Sequence, residues 1–259
     1  MKPLADLDGR GVTAVLLDID DTLTTEGKLT AQAYAALEAL QRAGKRVIPV
    51  TGRPAGWCDH IARMWPVDAV VGENGAFYFW HAGDKLHRRY FDDAPAREAK
   101  RKALAEVTGR ILQAVPGCAV AADQAYRETD LAIDFCEDVP ALPLEAAEQI
   151  ATLMRGVGLT AKVSSIHVNG WFGDYDKLSM TRLLFRERFG FDLDAGNDAI
   201  VFAGDSPNDA PMFGFFDRSV GVANVRRFGA ALAQPPKFVT PSACGAGFAE
   251  LADHLLRGA

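Results

Sequence analysis

Val12-Thr13-Ala14-Val15-Leu16-Leu17 runs straight into Asp18-Ile19-Asp20-Asp21-Thr22, and the reading of this stretch decides the fold. A short apolar run bounded by Gly11 and an acidic cluster reads as a strand buried on both faces, as in a parallel sheet. Working outward, Thr30 can cap a helix whose apolar positions Ala33, Leu37 and Leu40 recur at helical spacing, with Gly44 ending it. Residues 47–50 form a second apolar strand that leads into Thr51-Gly52-Arg53. Pro54 suits the first turn of another helix reaching to about Met64. Residues 67–71 make a third strand, which ends in Gly72-Glu73-Asn74-Gly75. Strand, helix, strand, helix, strand at these spacings predicts a doubly wound α/β fold.

The pattern changes after Gly83. Residues 97–115 and 144–157 read as amphipathic helices, each followed by an alternating stretch, at 126–135 and 160–172. That composition predicts an α+β unit inserted into the first domain. Short apolar strands resume at 200–203, 219–222 and 237–239. A last helix at 247–256 carries Phe248, Leu251, Leu255 and Leu256 on one face. The expected division is therefore an α/β core of residues 1–84 and 173–259, with a cap of residues 85–172.

At 259 residues the chain is long enough for both units to bury a core. A net charge of −6 gives no electrostatic footprint for nucleic acid or an anionic membrane, and an anionic substrate would need a local cation. Cys58, Cys118, Cys136 and Cys244 are scattered, without the spacing of a zinc site or disulfide framework. The acidic N-terminal stretch does not read as a signal peptide, and no apolar run is long enough to span a bilayer. A soluble, cytoplasmic protein acting on a small molecule is expected.

The polar residues gather at strand ends. Asp18, Asp20 and Thr22 follow the first strand, Thr51-Gly52-Arg53 the second, and Gly204-Asp205-Ser206-Pro207-Asn208-Asp209 the strand at 200–203. Open α/β sheets bind ligands at the carboxyl ends of their strands. Four carboxylates brought together there stay ionised most easily around a divalent cation, and an oxygen-only ligand set selects Mg²⁺. Asp18 and Asp20, two apart, point the same way, so one can attack while the other handles a proton.

The stretches DIDDTL, TGR, Lys177 and GDSPND, in that order, resemble the four motifs of the haloacid dehalogenase superfamily over most of the core. The resemblance implies that Asp18 is the nucleophile and Asp20 the general acid and base. It also implies that Thr51, Gly52 and Lys177 bind the phosphoryl group. Mg²⁺ would be held by Asp18, the backbone carbonyl of Asp20, and Asp205, with Asp209 in support. An Asp at position 20 favours a phosphatase or phosphomutase over a dehalogenase, whose leaving halide needs no acid. A non-catalytic sugar-phosphate sensor is a further alternative. Asp21 stands where many relatives have Gly.

An insertion between the second and third motifs resembles the subgroup with a large α+β cap, which includes many sugar phosphatases. GDSPND and the His167-Val168 pair are also similar to mannosyl-3-phosphoglycerate phosphatases. In the cap, Ser165, His167, Asn169 and Trp171 are expected on one strand face, opposite Ile166 and Val168. Glu128, Asp130 and Asp134 likewise oppose Leu131, Ile133 and Phe135. These polar faces either meet solvent or look towards the active site, and in the second case Arg127, Glu128, His167 and Asn169 are candidate substrate contacts. Arg127 could meet a second anionic group.

Overall fold

The computed structural model of the chain describes residues 1–164 and 166–258, so the expected face position of Ser165 lies outside the described residues. The chain begins with β1 (Lys2–Pro3), β2 (Ala14–Leu17), α1 (Ala31–Arg42), β3 (Arg46–Pro49), α2 (Ala55–Met64) and β4 (Val70–Gly72). A hairpin of β5 (Phe77–Ala82) and β6 (Lys85–Tyr90) follows. Next come α3 (Ala94–Ala114), β7 (Ala119–Val120), β8 (Leu131–Asp134), α4 (Leu144–Gly156), β9 (Thr160–Val163) and β10 (His167–Trp171). The chain finishes with α5 (Lys177–Leu184), β11 (Ile200–Gly204), α6 (Ala210–Phe215), β12 (Arg218–Gly221), β13 (Phe238–Val239) and α7 (Cys244–Arg257).

The core is a six-stranded sheet in the order β1-β13-β12-β11-β2-β3, with every pair parallel. A parallel bridge between Val50 and Val71 carries it on to β4. Alternation along β2 explains why both faces must be covered. Val15 and Leu17 pack with Leu37 and Leu40 of α1 and with Phe248 and Leu251 of α7. Ala14 and Leu16 pack on the other side with Leu184 of α5 and Phe213 of α6. Burying a large apolar side chain contributes about 1.5–3 kcal/mol, so these two layers hold the sheet without any polar partner. Thr30 caps α1 as expected, its hydroxyl accepting from Ala33 N at 3.2 Å.

The cap is a four-stranded antiparallel sheet, β7-β8-β10-β9. Leu131, Ile133 and Val168 pack beneath α3 and α4 with Ile111, Ile150 and Met154. The turn at Gly83-Asp84, where the change in pattern was expected, joins β5 to β6, and residues 85–90 pair throughout with β5. The stretch 126–135 is strand only over Leu131–Asp134. It is preceded by a 3₁₀ turn, Ala122–Tyr126, whose Gln124 amide bonds both Asp130 O and Ala132 N and bends the chain off the strand line. The stretch 160–172 is two strands, β9 and β10, turning where the Ser164 hydroxyl meets the backbone of His167. Among the described residues no helix is long and apolar enough to cross a membrane.

Candidate active site

Asp18 leaves the end of β2 beside β11, its N–H donating to Ala203 O at 2.9 Å, which places it next to the Gly204-Asp205 turn. Pro207 opens the short 3₁₀ turn Pro207–Asp209, which folds Asp209 back so that its Oδ2 accepts from Asp205 N at 3.1 Å. A Cβ at position 204 would run into that carboxylate, so only glycine allows the turn to close. Asp18, Asp205 and Asp209 are thereby buried with one oxygen each within 4.8 Å of one another.

Lys177 opens α5, behind the Asp176 cap, and its Nζ reaches Asp18 Oδ1 and Asp209 Oδ1, both at 2.8 Å. Burial opposes the charge on Lys177, but these two carboxylates outweigh it and hold the ammonium protonated. One cation does not balance the cluster. Burial, together with Asp209 and Asp20, pushes Asp18 up to about 7 against the pull of Lys177. Burial, Asp209, Asp18 and Asp21 push Asp205 up to about 8. Carboxylates that resist joint ionisation around oxygen-only donors are what a hard divalent cation satisfies, so the residues present fit Mg²⁺.

Two residues that the sequence did not single out complete this side. Asn224 Nδ2 donates to Asp205 Oδ2 and to Asp21 O, each at 3.0 Å, while Arg227 reaches Asp205 Oδ2 at 3.3 Å. Asp21 has φ +56°, a left-handed turn position of the kind glycine favours, and Arg227 lies 3.4 Å from its carboxylate.

The other side is built from the end of β3. Thr51 is fully buried, and its hydroxyl accepts from Arg53 N at 3.1 Å, which leaves the hydroxyl proton to donate. Asp20 is not one of the three clustered carboxylates. Both its oxygens are held by Arg53, at 2.6–3.0 Å, and the guanidinium lies 4.3 Å from the centre of the Trp57 ring. Burial opposes the charge on Arg53, but Asp20, Glu137 and Asp123 outweigh it and raise its pKa.

The polar face of the cap sheet is buried against this loop. Arg127 donates to Gly52 O at 3.1 Å and is paired with Asp123 and Asp130, so its guanidinium is fully engaged. Asn169 donates to Asp130 at 3.2 Å. Glu128 turns outward and accepts from Tyr90 at 2.7 Å. His167 is buried, with Nε2 2.9 Å from Glu137 Oε2. Burial, with the nearby Arg127 charge, holds the imidazole pKa below its usual value against the pull of Glu137.

Cap and core meet at Glu73-Asn74-Gly75. The fully buried Glu73 carboxylate accepts from Ala55 N and Glu128 N at 2.9 Å, from Thr129 N at 2.7 Å, and from the Thr129 hydroxyl. Asn74 N donates to Thr51 O at 3.1 Å. Gly75, at φ +106°, lies so close to the Asp176 carbonyl that a Cβ would overlap it. Three consecutive residues thus touch the cap, the Thr51 loop and the base of the Lys177 helix. In the sequence this place shows as the Gly-Glu-Asn-Gly-Ala run at 72–76, which resembles the entry to the cap hairpin in the capped subgroup but does not say which residues it ties together.

A family model described as haloacid dehalogenase-like hydrolase matches residues 15–128. A phosphoglycolate phosphatase of Methanothrix thermoacetophila is 26% identical over 250 residues, covering 94% of this chain and 97% of the relative. Among solved structures, a Thermoplasma acidophilum protein superposes with a TM-score of 0.73 at 19% identity, covering 95% of this chain and 98% of that one. The sucrose-phosphatase of Synechocystis, solved with sucrose and phosphate, gives 0.62 at 15% identity, over 95% and 98%. At those identities the structures show a shared fold.

Proposed function

We propose that this chain, whose residues 15–128 match the haloacid dehalogenase-like hydrolases, is a Mg²⁺-dependent phosphatase that cleaves a small phosphomonoester, of a sugar or sugar-like alcohol, through Asp18. The observation that carries the reading is Lys177 Nζ bridging Asp18 and Asp209, with Asp205 alongside. A carboxylate tied by one oxygen to a buried ammonium keeps the other oxygen for attack. The buried polar face of the cap above Gly52 supports a polar leaving group.

Asp18 Oδ2 attacks phosphorus, the ester P–O bond breaks, and Asp20 passes its proton to the leaving oxygen, giving the alcohol and an aspartyl-phosphate. Water then attacks the same phosphorus while Asp20 takes its proton, and the P–O bond to Asp18 breaks to release phosphate. Lys177, the Thr51 hydroxyl and the backbone N–H of Gly52 stabilise the phosphoryl oxygens. Asp18, Asp205 and the Asp20 carbonyl, with Asp209 in support, would hold Mg²⁺, which would supply the remaining positive charge. Asp20 must turn from Arg53 to reach the leaving oxygen, which ties its service to events at the cap.

The test is phosphate release from sugar phosphates and p-nitrophenyl phosphate with Mg²⁺, with EDTA, and with Asp18→Asn. Metal-dependent release that Asp18→Asn lowers by at least about a thousandfold is expected for a lost nucleophile. Release that survives the substitution would overturn the assignment. Turnover that requires a bisphosphate activator would mark a phosphomutase instead.

A further inference from the structure

We infer that Arg127 of the cap is a positioning residue for phosphoryl transfer, acting through the Gly52–Arg53 peptide on the Thr51 hydroxyl. The inference rests on the phosphatase reading above, in which that hydroxyl donates to the phosphoryl group.

The loop after β3 has each of its carbonyl groups taken by a donor from elsewhere in the chain. Thr51 O accepts from Asn74 N and Arg53 O from Glu73 N, both at 3.1 Å. Gly52 O, between them, accepts from Arg127 Nη1 at 3.1 Å, so it alone of the three is held by the cap. It is also the carbonyl most in need of holding. A glycine leaves the following peptide wide freedom to turn, and a carbonyl turned inward would set its negative end against the phosphoryl oxygens.

The other end of the same peptide is the Arg53 N–H, which donates to the Thr51 hydroxyl oxygen at 3.1 Å. Because the peptide is planar, fixing the carbonyl fixes the N–H. The N–H in turn occupies one lone pair of the hydroxyl and leaves its proton to donate elsewhere. A guanidinium charge on the carbonyl also polarises the peptide and strengthens its N–H as a donor. Only the Arg53 backbone takes part, so the relay persists when the Arg53 guanidinium releases Asp20.

The cap is arranged to aim Arg127 at this carbonyl. The Arg127 side chain is 2% exposed. Asp123 accepts from its Nε and Nη2 at 3.0 Å, and Asp130 accepts from Nη1 at 3.0 Å. Asp130 is itself held from β10 by Asn169 Nδ2 at 3.2 Å. Nη1 carries two protons, and the one that does not serve Asp130 serves Gly52 O. The polar side chains at 127, 130 and 169 thus work on the phosphate loop from behind.

The test uses the Mg²⁺-loaded full chain, with p-nitrophenyl phosphate and glucose 6-phosphate as esters and calorimetric binding of inorganic phosphate. Arg127→Lys should lower kcat/KM by about tenfold for both esters and weaken inorganic phosphate by a similar factor, within the range of coupling inside one hydrogen-bond network. Arg127→Met combined with Asp130→Asn should lose at least as much, without stranding a charge at Asp130. Melting curves establish that the variants fold. With Thr51→Val, which has no hydroxyl, Arg127→Lys should cost less than about twofold more. With Thr51→Ser, which keeps the hydroxyl, the tenfold cost should return. A merely structural role would give the same loss whichever residue stands at 51, and that result would overturn the inference. Unchanged kcat/KM and phosphate binding in the Arg127 variants, or a loss confined to one ester, would also overturn it while leaving a phosphatase. No metal-dependent release from either ester by the wild type would overturn the phosphatase reading itself, and this inference with it.

Discussion

Asp205 Oδ2 is shared between Asn224 Nδ2 and Arg227 Nη2, neither of which reaches Asp18 or Lys177 by any hydrogen bond or ion pair of the site. A carboxylate restrained in this way presents its other oxygen in a fixed direction, and outer partners of this kind are worth about 10–100-fold in metal affinity. Asn224→Ala should therefore raise the Mg²⁺ concentration needed for half-maximal phosphate release by about 10–100-fold, with saturated activity falling far less. A titration midpoint that does not move would mean that Asp205 is oriented without Asn224. Lys177 is the contrasting case, because among the described residues it is the one cation bonded to both Asp18 and Asp209. Removing one partner from a buried ion pair strands the other, at a cost of roughly 3–5 kcal/mol. Lys177→Met should lower stability by that order in EDTA at alkaline pH, and much less in acid, where Asp18 protonates. Urea unfolding at the two pH values measures the difference, and equal losses would argue against the buried pair.

The 3₁₀ turn Glu73–Gly75 is the element on which cap placement depends. Glu73 accepts four donors and gives none, so an amide in its place would turn one acceptor into a donor facing N–H groups. Glu73→Gln is expected to speed amide exchange over residues 127–130 while exchange in the β2 and β11 strands stays slow. Unchanged exchange at 127–130 would show that Arg127 holds the cap by itself. This element also marks where reading the sequence reaches its limit. The core strands and helices were legible because their signals are local: apolar runs, the Thr30 cap, and Gly44 after α1. Asp18, Thr51, Asp205 and Asp209 were legible because the fold gathers what stands after its strands. Glu73 binds Thr129 across 56 residues and Arg53 binds Asp20 across 33, and before folding each is an ordinary polar loop residue. Alternation at 126–135 misled because it was read without the Gln124 bonds that bend the chain away from a strand.

Over the whole molecule, the burial of the acidic cluster ties stability to pH and to metal. Without a metal, burial and the neighbouring carboxylates push Asp18 up to about 7 and Asp205 up to about 8, both well above the 3.8 of a free Asp. The folded chain therefore binds more protons than the unfolded chain between about pH 4 and 8, and by linkage its stability falls as pH rises through that window. Mg²⁺ competes with those protons, so it should bind more tightly and stabilise more as the pH rises. At a hundred times its dissociation constant a ligand adds about 2.7 kcal/mol, which for a chain of this size is a rise in Tm of roughly 5–10 °C. Thermal melts in EDTA should then move down from pH 5 to pH 8.5, and Mg²⁺ should restore several degrees at pH 8.5 but little at pH 5. Asp205→Asn should flatten the EDTA series, because it removes the carboxylate pushed higher of the two, and should also abolish most of the Mg²⁺ effect. If Mg²⁺ raised Tm equally at both pH values, the ion would be acting away from these carboxylates. A flat EDTA series in the wild type would mean that the cluster is already neutralised within the fold, and the case for a divalent cation at Asp18 and Asp205 would fall with it.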